Sequence, residues 1–204
     1  MNYLSPTEYE QYGIESTTPE AWIGAASKLM DGHCRRASLA LAEYTERLRV
    51  RPGAQSVRVS YLPLAPTNAI ISARGRYAQP RKGEYANADL VNDVARAFAL
   101  PGSWSPLDVT QFDYDGLTGE IALPSYALGI PFNEVEITYS AGNATIPDEI
   151  KFACAQIVKN AQATPGLNVK SGKVDTMKLD YFADSLLDSS VQKMLAPYVA
   201  QKVA

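Results

Sequence analysis

Two spacings of apolar residues alternate along this chain, and together they decide which folds it can adopt. Trp22, Ile23, Ala26, Leu29, Met30 and Cys34 recur at three- and four-residue steps, as do Ile150, Ala153, Cys154, Ile157, Val158 and Ala161. Each set makes one stripe along an α-helix. Between the two sets the period drops to two. Tyr44, Glu46, Leu48 and Val50 alternate with Thr45, Arg47 and Arg49, and Val57, Val59 and Tyr61 alternate with Arg58 and Ser60. That is the period of β-strands with two unlike faces.

The first stripe predicts a helix from about Pro19 to Arg36, with Thr18 as its N-cap and Glu20 in its first turn. The second predicts a helix starting at Pro147 and ending at Pro165-Gly166. A short helix over Ser5 to Tyr12, ended by Gly13, and a last helix over about Ser185 to Ala196 complete the helical set. The turn-like Arg51-Pro52-Gly53 predicts that the two alternating runs form a hairpin with one arginine-bearing face. Further strands are expected at Ala69 to Ala73, Glu134 to Tyr139 and Met177 to Phe182, with a second hairpin around Asp115-Gly116. Arg74 to Asn87 reads as an exposed loop and Asp89 to Ala99 as a short helix. The expected fold class is α+β: a helical body of two long amphipathic helices plus a short C-terminal helix, an inserted β-hairpin-rich region, and an extended C-terminal arm. Residues 1–40 with 145–204 form the body and arm, and residues 41–144 form the insert.

Residue inventory narrows the chemistry. His33 is the only histidine, and Cys34 and Cys154 are the only cysteines, each inside an apolar helical pattern. A mechanism needing two imidazoles is excluded within one chain, and three such residues fall short of the four ligands of a closed zinc site. His33 and Cys34, as helical neighbours, point about 100° apart and cannot act as base and nucleophile. No enzyme activity, metal or cofactor is therefore expected. The longest uncharged run, Val59 to Ala73, is broken by Pro63 and Pro66 and is shorter than the ~20 apolar residues of a membrane helix. The start, Met1 to Pro6, lacks the basic and apolar regions of a secretory signal, so cytoplasmic synthesis is expected.

Charge is asymmetric. Residues 1–102 carry 12 Lys and Arg against 10 Asp and Glu, whereas residues 103–204 carry 7 against 12. From Lys28 to Lys82, eleven basic residues face only Asp31, Glu43 and Glu46. The basic set Arg47, Arg49, Arg58, Arg74, Arg76, Arg81 and Lys82 could track a phosphate backbone, but no nucleic-acid-binding motif accompanies it, and a solvated or subunit-facing surface is the expectation. Asp113, Asp115 and Glu120 lie in an eight-residue segment with two glycines. Their spacing is not that of an EF-hand loop, and a hairpin turn demands the same residues; a cation-dependent, carbohydrate-binding β protein is the alternative they would support.

Four stretches, in order, resemble the head-tail connector (adaptor) family of tailed bacteriophages. They are Ala21-Trp22-Ile23 through Asp31-Gly32-His33-Cys34-Arg35-Arg36 with Tyr44 to Leu48; Ser60-Tyr61-Leu62-Pro63-Leu64; Val135 to Gly142 followed by Ile146-Pro147-Asp148-Glu149 to Gln156; and Val191 to Tyr198. The stretch Arg74 to Pro106 is longer than a typical member has there. The resemblance implies a structural virion protein at the neck, a ring of usually twelve subunits beneath the portal protein. The next head-closure or tail protein would dock on its lower surface, with packaged DNA passing through. Met194, Leu195, Pro197 and Tyr198 are then expected at the portal contact, and the seven basic residues at subunit or channel contacts. Another neck ring, of the head-closure or tail-completion kind, is the nearest alternative.

Overall fold

A computed structural model describes residues 2–51, 53–78, 97, 102–124, 132–163, 171–174, 177–180 and 186–201. The chain divides into two compact units, Met1–Leu39 with Thr145–Ala200, and Ala40–Ala144 with Gln201–Ala204.

The first unit is helical. Two 3-10 turns, Pro6–Glu8 and Glu10–Tyr12, replace the expected single short helix, and Gly13, at φ 70°, ends them. Helix α1 spans Glu20–His33, with Pro19 rather than Thr18 at the N-cap, and helix α2 spans Asp148–Ala163. Helix α3 spans Ser189–Leu195, capped by Asp188, whose carboxylate accepts from the amides of Ser190 and Val191. Helix α1 stops because Arg35 takes a left-handed φ of 55°. Ile23, Ala26, Met30 and Cys34 are buried, as are Ile150, Ala153, Cys154 and Ile157 of α2, which packs against α1, whereas Trp22 and Leu29 of the same stripe stay exposed at 41% and 37%.

The first turn of α2 gathers the other segments of this unit. Tyr12 donates its hydroxyl to Asp148 at 2.7 Å, Tyr198 donates to Glu149 at 3.0 Å, and Lys151 pairs with Glu8 at 2.5 Å. Burial pushes the Cys34 and Cys154 thiols up to about 11, so both stay protonated near neutral pH.

The second unit holds two antiparallel sheets over one core. Strands β1 (Ala42–Arg49), β3 (Ile70–Arg76), β4 (Ser105–Leu107) and β7 (Glu134–Ala141) form a sheet in the order β1-β7-β3-β4. Strands β2 (Ser56–Arg58), β5 (Asp113–Tyr114) and β6 (Glu120–Ala122) form the other, in the order β2-β6-β5. Val57, Val59 and Ile121 of the smaller sheet's segments share a cluster with Val135, Ile137 and Tyr139 of the larger. Tyr44 stacks on Tyr61 with ring centroids 4.0 Å apart. In the first unit, a ribbon of β8 (Ser171–Val174) and β9 (Met177–Asp180) makes a separate two-stranded ladder.

These observations correct the expected helical body with two long helices. Among the described residues the helices are short, of 14, 16 and 7 residues, and the fold is a mixed α+β one with substantial antiparallel sheet. The reason is where the apolar area goes: the strand residues close a core of their own. The expected hairpin of Tyr44 to Val50 with Val57 to Tyr61 does not form, since β1 pairs with β7 and β2 with β6. The supposed loop beginning at Arg74 is strand as far as Arg76. Asn133 fastens the chain just beyond it, its side-chain amide exchanging hydrogen bonds with the backbone of Ala78 at 2.7 and 3.0 Å. The hairpin around Asp115-Gly116 does form, as β5 and β6. The helix expected over Asp89 to Ala99 lies, apart from Ala97, outside the described residues.

Two outcomes follow for the helical unit. Leu195 is fully buried, so Leu195→Ala should destabilise the protein by roughly 2–5 kcal/mol in urea unfolding; a loss below 1 kcal/mol would contradict its place in the core. The Lys151 ammonium, helped by Ser5, holds the Glu8 carboxyl down to about 2 from an ordinary 4.5. A depressed folded value stabilises above pH 4.5 and is lost as pH falls toward 2. Lys151→Met should therefore move the acid-unfolding midpoint, followed by tryptophan fluorescence, to higher pH.

Candidate functional site

Strand alternation places Arg47 and Arg49 of β1 on the face of the larger sheet opposite its core. The same alternation places Glu134 and Glu136 of β7, and Arg74 and Arg76 of β3, beside them. The register lines them up in rows: Arg47, Glu136 and Arg74 stand directly opposite one another, as do Arg49, Glu134 and Arg76. A third row holds Thr45, Thr138 and Ser72, with the two threonine hydroxyls 3.0 Å apart. Between Arg74 and Arg76 the chain points its other side at the core. A Cβ on Gly75 would meet the Phe132 ring at 2.8 Å, so only glycine fits there without a shift.

The two glutamates organise the arginines. Glu136 accepts from Arg47 Nη2 at 3.2 Å and from Arg74 Nε at 2.8 Å. Glu134 accepts from Arg76 Nε at 2.6 Å. Burial alone would raise the Glu136 carboxyl, but the Arg74 and Arg47 guanidinium groups beside it outweigh that and hold it below the usual glutamate range. Trp104, just before β4, lies over the rows: the guanidinium carbons of Arg47, Arg74 and Arg76 lie 5.2, 5.2 and 4.4 Å from its ring centroid. Such contacts are each worth roughly 0.5–1 kcal/mol at exposed sites. Four arginines against two glutamates leave the patch net positive. Arg47 and Arg74 remain half exposed, at 52% and 51% of their side chains.

The other expected site residues are dispersed. Arg58 lies on β2 in the smaller sheet, donating to the Thr118 carbonyl at 2.8 Å and to Gln201 at 3.1 Å. Arg81 and Lys82 lie outside the described residues. Of the C-terminal set, Leu195 is buried in the helical unit's own core, Met194 and Tyr198 are half-buried and Pro197 is exposed. The terminal helix thus buries Val191 and Leu195 completely and leaves Lys193 and Pro197 exposed. Asp113, Asp115 and Glu120 are occupied locally: Asp113 accepts from the Tyr114 amide, Asp115 from the amides of Leu117 and Thr118, and Glu120 from Ser56. Among the described residues no group of three His, Cys, Asp or Glu side chains could hold a metal ion, and no helix is long and apolar enough to cross a membrane.

Glu134, Glu136 and Trp104 were not singled out from sequence. The glutamates carried a readable signal, since Glu134-x-Glu136-x-Thr138 has the same two-residue period as Arg47-x-Arg49 and Arg74-x-Arg76. Trp104 sits in a stretch without period and gave none.

The ladder predicts a stability loss on acidification beyond that of Glu8. Because the Glu136 carboxyl is depressed, its contribution is present above the ordinary glutamate range and lost as pH falls below it. Glu136→Gln should flatten the pH dependence of unfolding on the acid side. Trp104→Ala should lower stability by about 1.5–3 kcal/mol, if each of its three arginine contacts counts near the exposed-site value; an unchanged urea midpoint would show that the ring adds nothing. No protein-family model matches the chain, and no curated protein matches it in sequence.

Proposed function

We propose that this chain is a structural virion protein of a tailed phage, a non-catalytic ring adaptor between the portal protein and the next neck or tail component. It would assemble in the host cytoplasm, reside at the head-tail interface, and help keep packaged DNA in place. The reading rests on the resemblance of the four ordered stretches, and the observation that carries it is the arginine ladder. A ring is closed by one face of each subunit meeting a different face of its neighbour, and a charged face can serve there or along a channel. Three arginines held by two internal glutamates, with Arg49 in the same row as Glu134, supply positive charge whose net strength is moderated. DNA sliding past such a face meets attraction spread over many weak contacts rather than a tight site.

The decisive measurement is electron microscopy of the protein mixed with its portal: rings capping the portal are expected, and a uniformly monomeric protein that leaves the portal bare would overturn the reading. Removing everything from Ser185 onward is a poor test of docking, because it strips Val191 and Leu195 from the core. Lys193→Glu with Pro197→Ser changes exposed positions, where substitutions usually cost less than about 0.5 kcal/mol. That pair should abolish co-sedimentation with the portal while leaving the melting temperature nearly unchanged. Arg81→Glu with Lys82→Glu should weaken ring assembly or genome retention; normal particle yield with retained genomes would remove those two residues from the contact.

A further inference from the structure

Strand β1 ends the larger sheet. The order β1-β7-β3-β4 puts β7 on one side of it and, among the described residues, no strand on the other. The pairing decides which backbone groups face that open side. In an antiparallel pair, opposed residues alternate between bonding to each other and pointing their N–H and C=O away. The Ser140 amide donates to the Ala69 carbonyl, on the β3 side of β7. Ser140 and its opposite residue Glu43 therefore do not bond to each other, and by the period of two neither do Thr138 and Thr45, nor Glu136 and Arg47. The N–H and C=O groups of Glu43, Thr45 and Arg47 point outward, and among the described residues none of them meets a backbone partner. The same three side chains are exposed, that of Arg47 at 52%. Neither a proline nor a bulge closes this edge, since its register with β7 runs unshifted from Ala42 to Arg49.

The charges beside the edge say what fits there, and β7 is the worked example. It lays Glu134 beside Arg49, Glu136 beside Arg47 and Thr138 beside Thr45. The two glutamates are shared with Arg74 and Arg76 of β3, so the two rows stay net positive. A strand added on the open side of β1 would again turn alternate side chains to this face. Carboxylates opposite Arg47 and Arg49 bring the rows to neutrality, a hydroxyl suits the place beside Thr45, and a lysine the place beside Glu43. On the other face an intervening residue lies beside Leu48, which is half-buried against the core and calls for an apolar neighbour.

We propose that β1 takes an extended acidic segment of a partner protein as a further antiparallel strand, with carboxylates at alternate positions opposite Arg47 and Arg49. Main-chain bonds to the edge supply affinity, and the alternating carboxylates supply specificity. A nucleic acid offers phosphates to the arginines but no donors and acceptors spaced to match a strand edge, so the edge groups select a peptide. The contact needs no second copy of this chain and is independent of the adaptor reading.

The probe is a fluorescein-labelled peptide, Glu-Val-Glu-Val-Thr-Val-Lys, titrated with the full chain and followed by fluorescence anisotropy. Saturable binding is expected. N-methylation of the second Glu and of the Thr removes two edge-facing donors while keeping every charge, and should weaken binding about tenfold. Replacing both Glu with Lys should weaken it at least as much. Thr45→Pro removes an amide that faces the open side and spares the β1–β7 ladder, a place where an edge strand tolerates proline; it should keep the circular dichroism spectrum and lose the peptide. No binding of the parent peptide, or equal binding of the N-methylated or the Lys peptide, would overturn the proposal. Those peptide controls leave the protein unaltered, so they decide the matter even if Thr45→Pro fails to fold. A single-stranded oligonucleotide that displaces the peptide and binds the parent protein and folded Thr45→Pro alike would reveal a general anion face and also overturn it. Peptide binding by a protein that leaves the portal bare would support this contact against the adaptor reading; rings on the portal without peptide binding would do the reverse.

Discussion

The sheet unit depends on β7. It is the strand with long neighbours on both sides, β1 and β3, and Val135, Ile137, Tyr139 and Ala141 on its inner face are all fully buried. Its outer face carries the two glutamates that space the arginines. Without β7 the inner residues of β1 and β3 lose their common partner, and the guanidinium groups lose the carboxylates that orient them. Core and charged surface are thus two faces of one strand, fixed by one register. A one-residue slip would send Glu134 and Glu136 into the core and Val135 and Ile137 to the surface, and the one shift in the β3–β7 pairing, between Ile70 and Ser72, lies outside the two arginine rows.

The ladder is better understood as geometry than as stability. Ion pairs at a surface contribute little individually, because solvent screens them and long side chains must be ordered to make them. What the arrangement does is restrict where positive charge can sit. Arg47 and Arg74 converge on one carboxylate, and Trp104 lies against three guanidinium groups at once. A surface of this kind keeps its shape when a partner approaches, and therefore loses little entropy on contact.

How much of this was legible in the sequence differs between the units. The helices were, because a 3.6-residue period is a local property: Ile23, Ala26 and Met30 announce their shared face without reference to the rest of the chain. Strands announced their faces too, as in Glu134 to Tyr139, but not their partners. Arg47 and Glu136 are 89 residues apart, and Arg74 and Glu136 are 62 apart. The nearby turn at Arg51-Pro52-Gly53 suggested a hairpin, yet it carries the chain from one sheet to the other. The stripe of α1 was legible as one apolar face, but not that Trp22 and Leu29 remain outside, because a stripe's width says nothing about how much of it a neighbour covers. In the site, the arginine alternation was visible and Trp104 was not, since its role comes from tertiary placement alone.

The helical unit is built from the two ends of the chain, Met1–Leu39 and Thr145–Ala200. That has a consequence for its synthesis. The 114 residues separating His33 at the end of α1 from Asp148 at the start of α2 take roughly 6 to 23 s to translate at typical rates. During that interval α1 has emerged without the helix that covers Ile23, Ala26 and Met30, and β1 likewise waits for β7. Neither unit can close until most of the chain has left the ribosome. The nascent protein therefore spends seconds with these apolar faces uncovered, and a pause in translation ahead of residue 148 would lengthen that exposure.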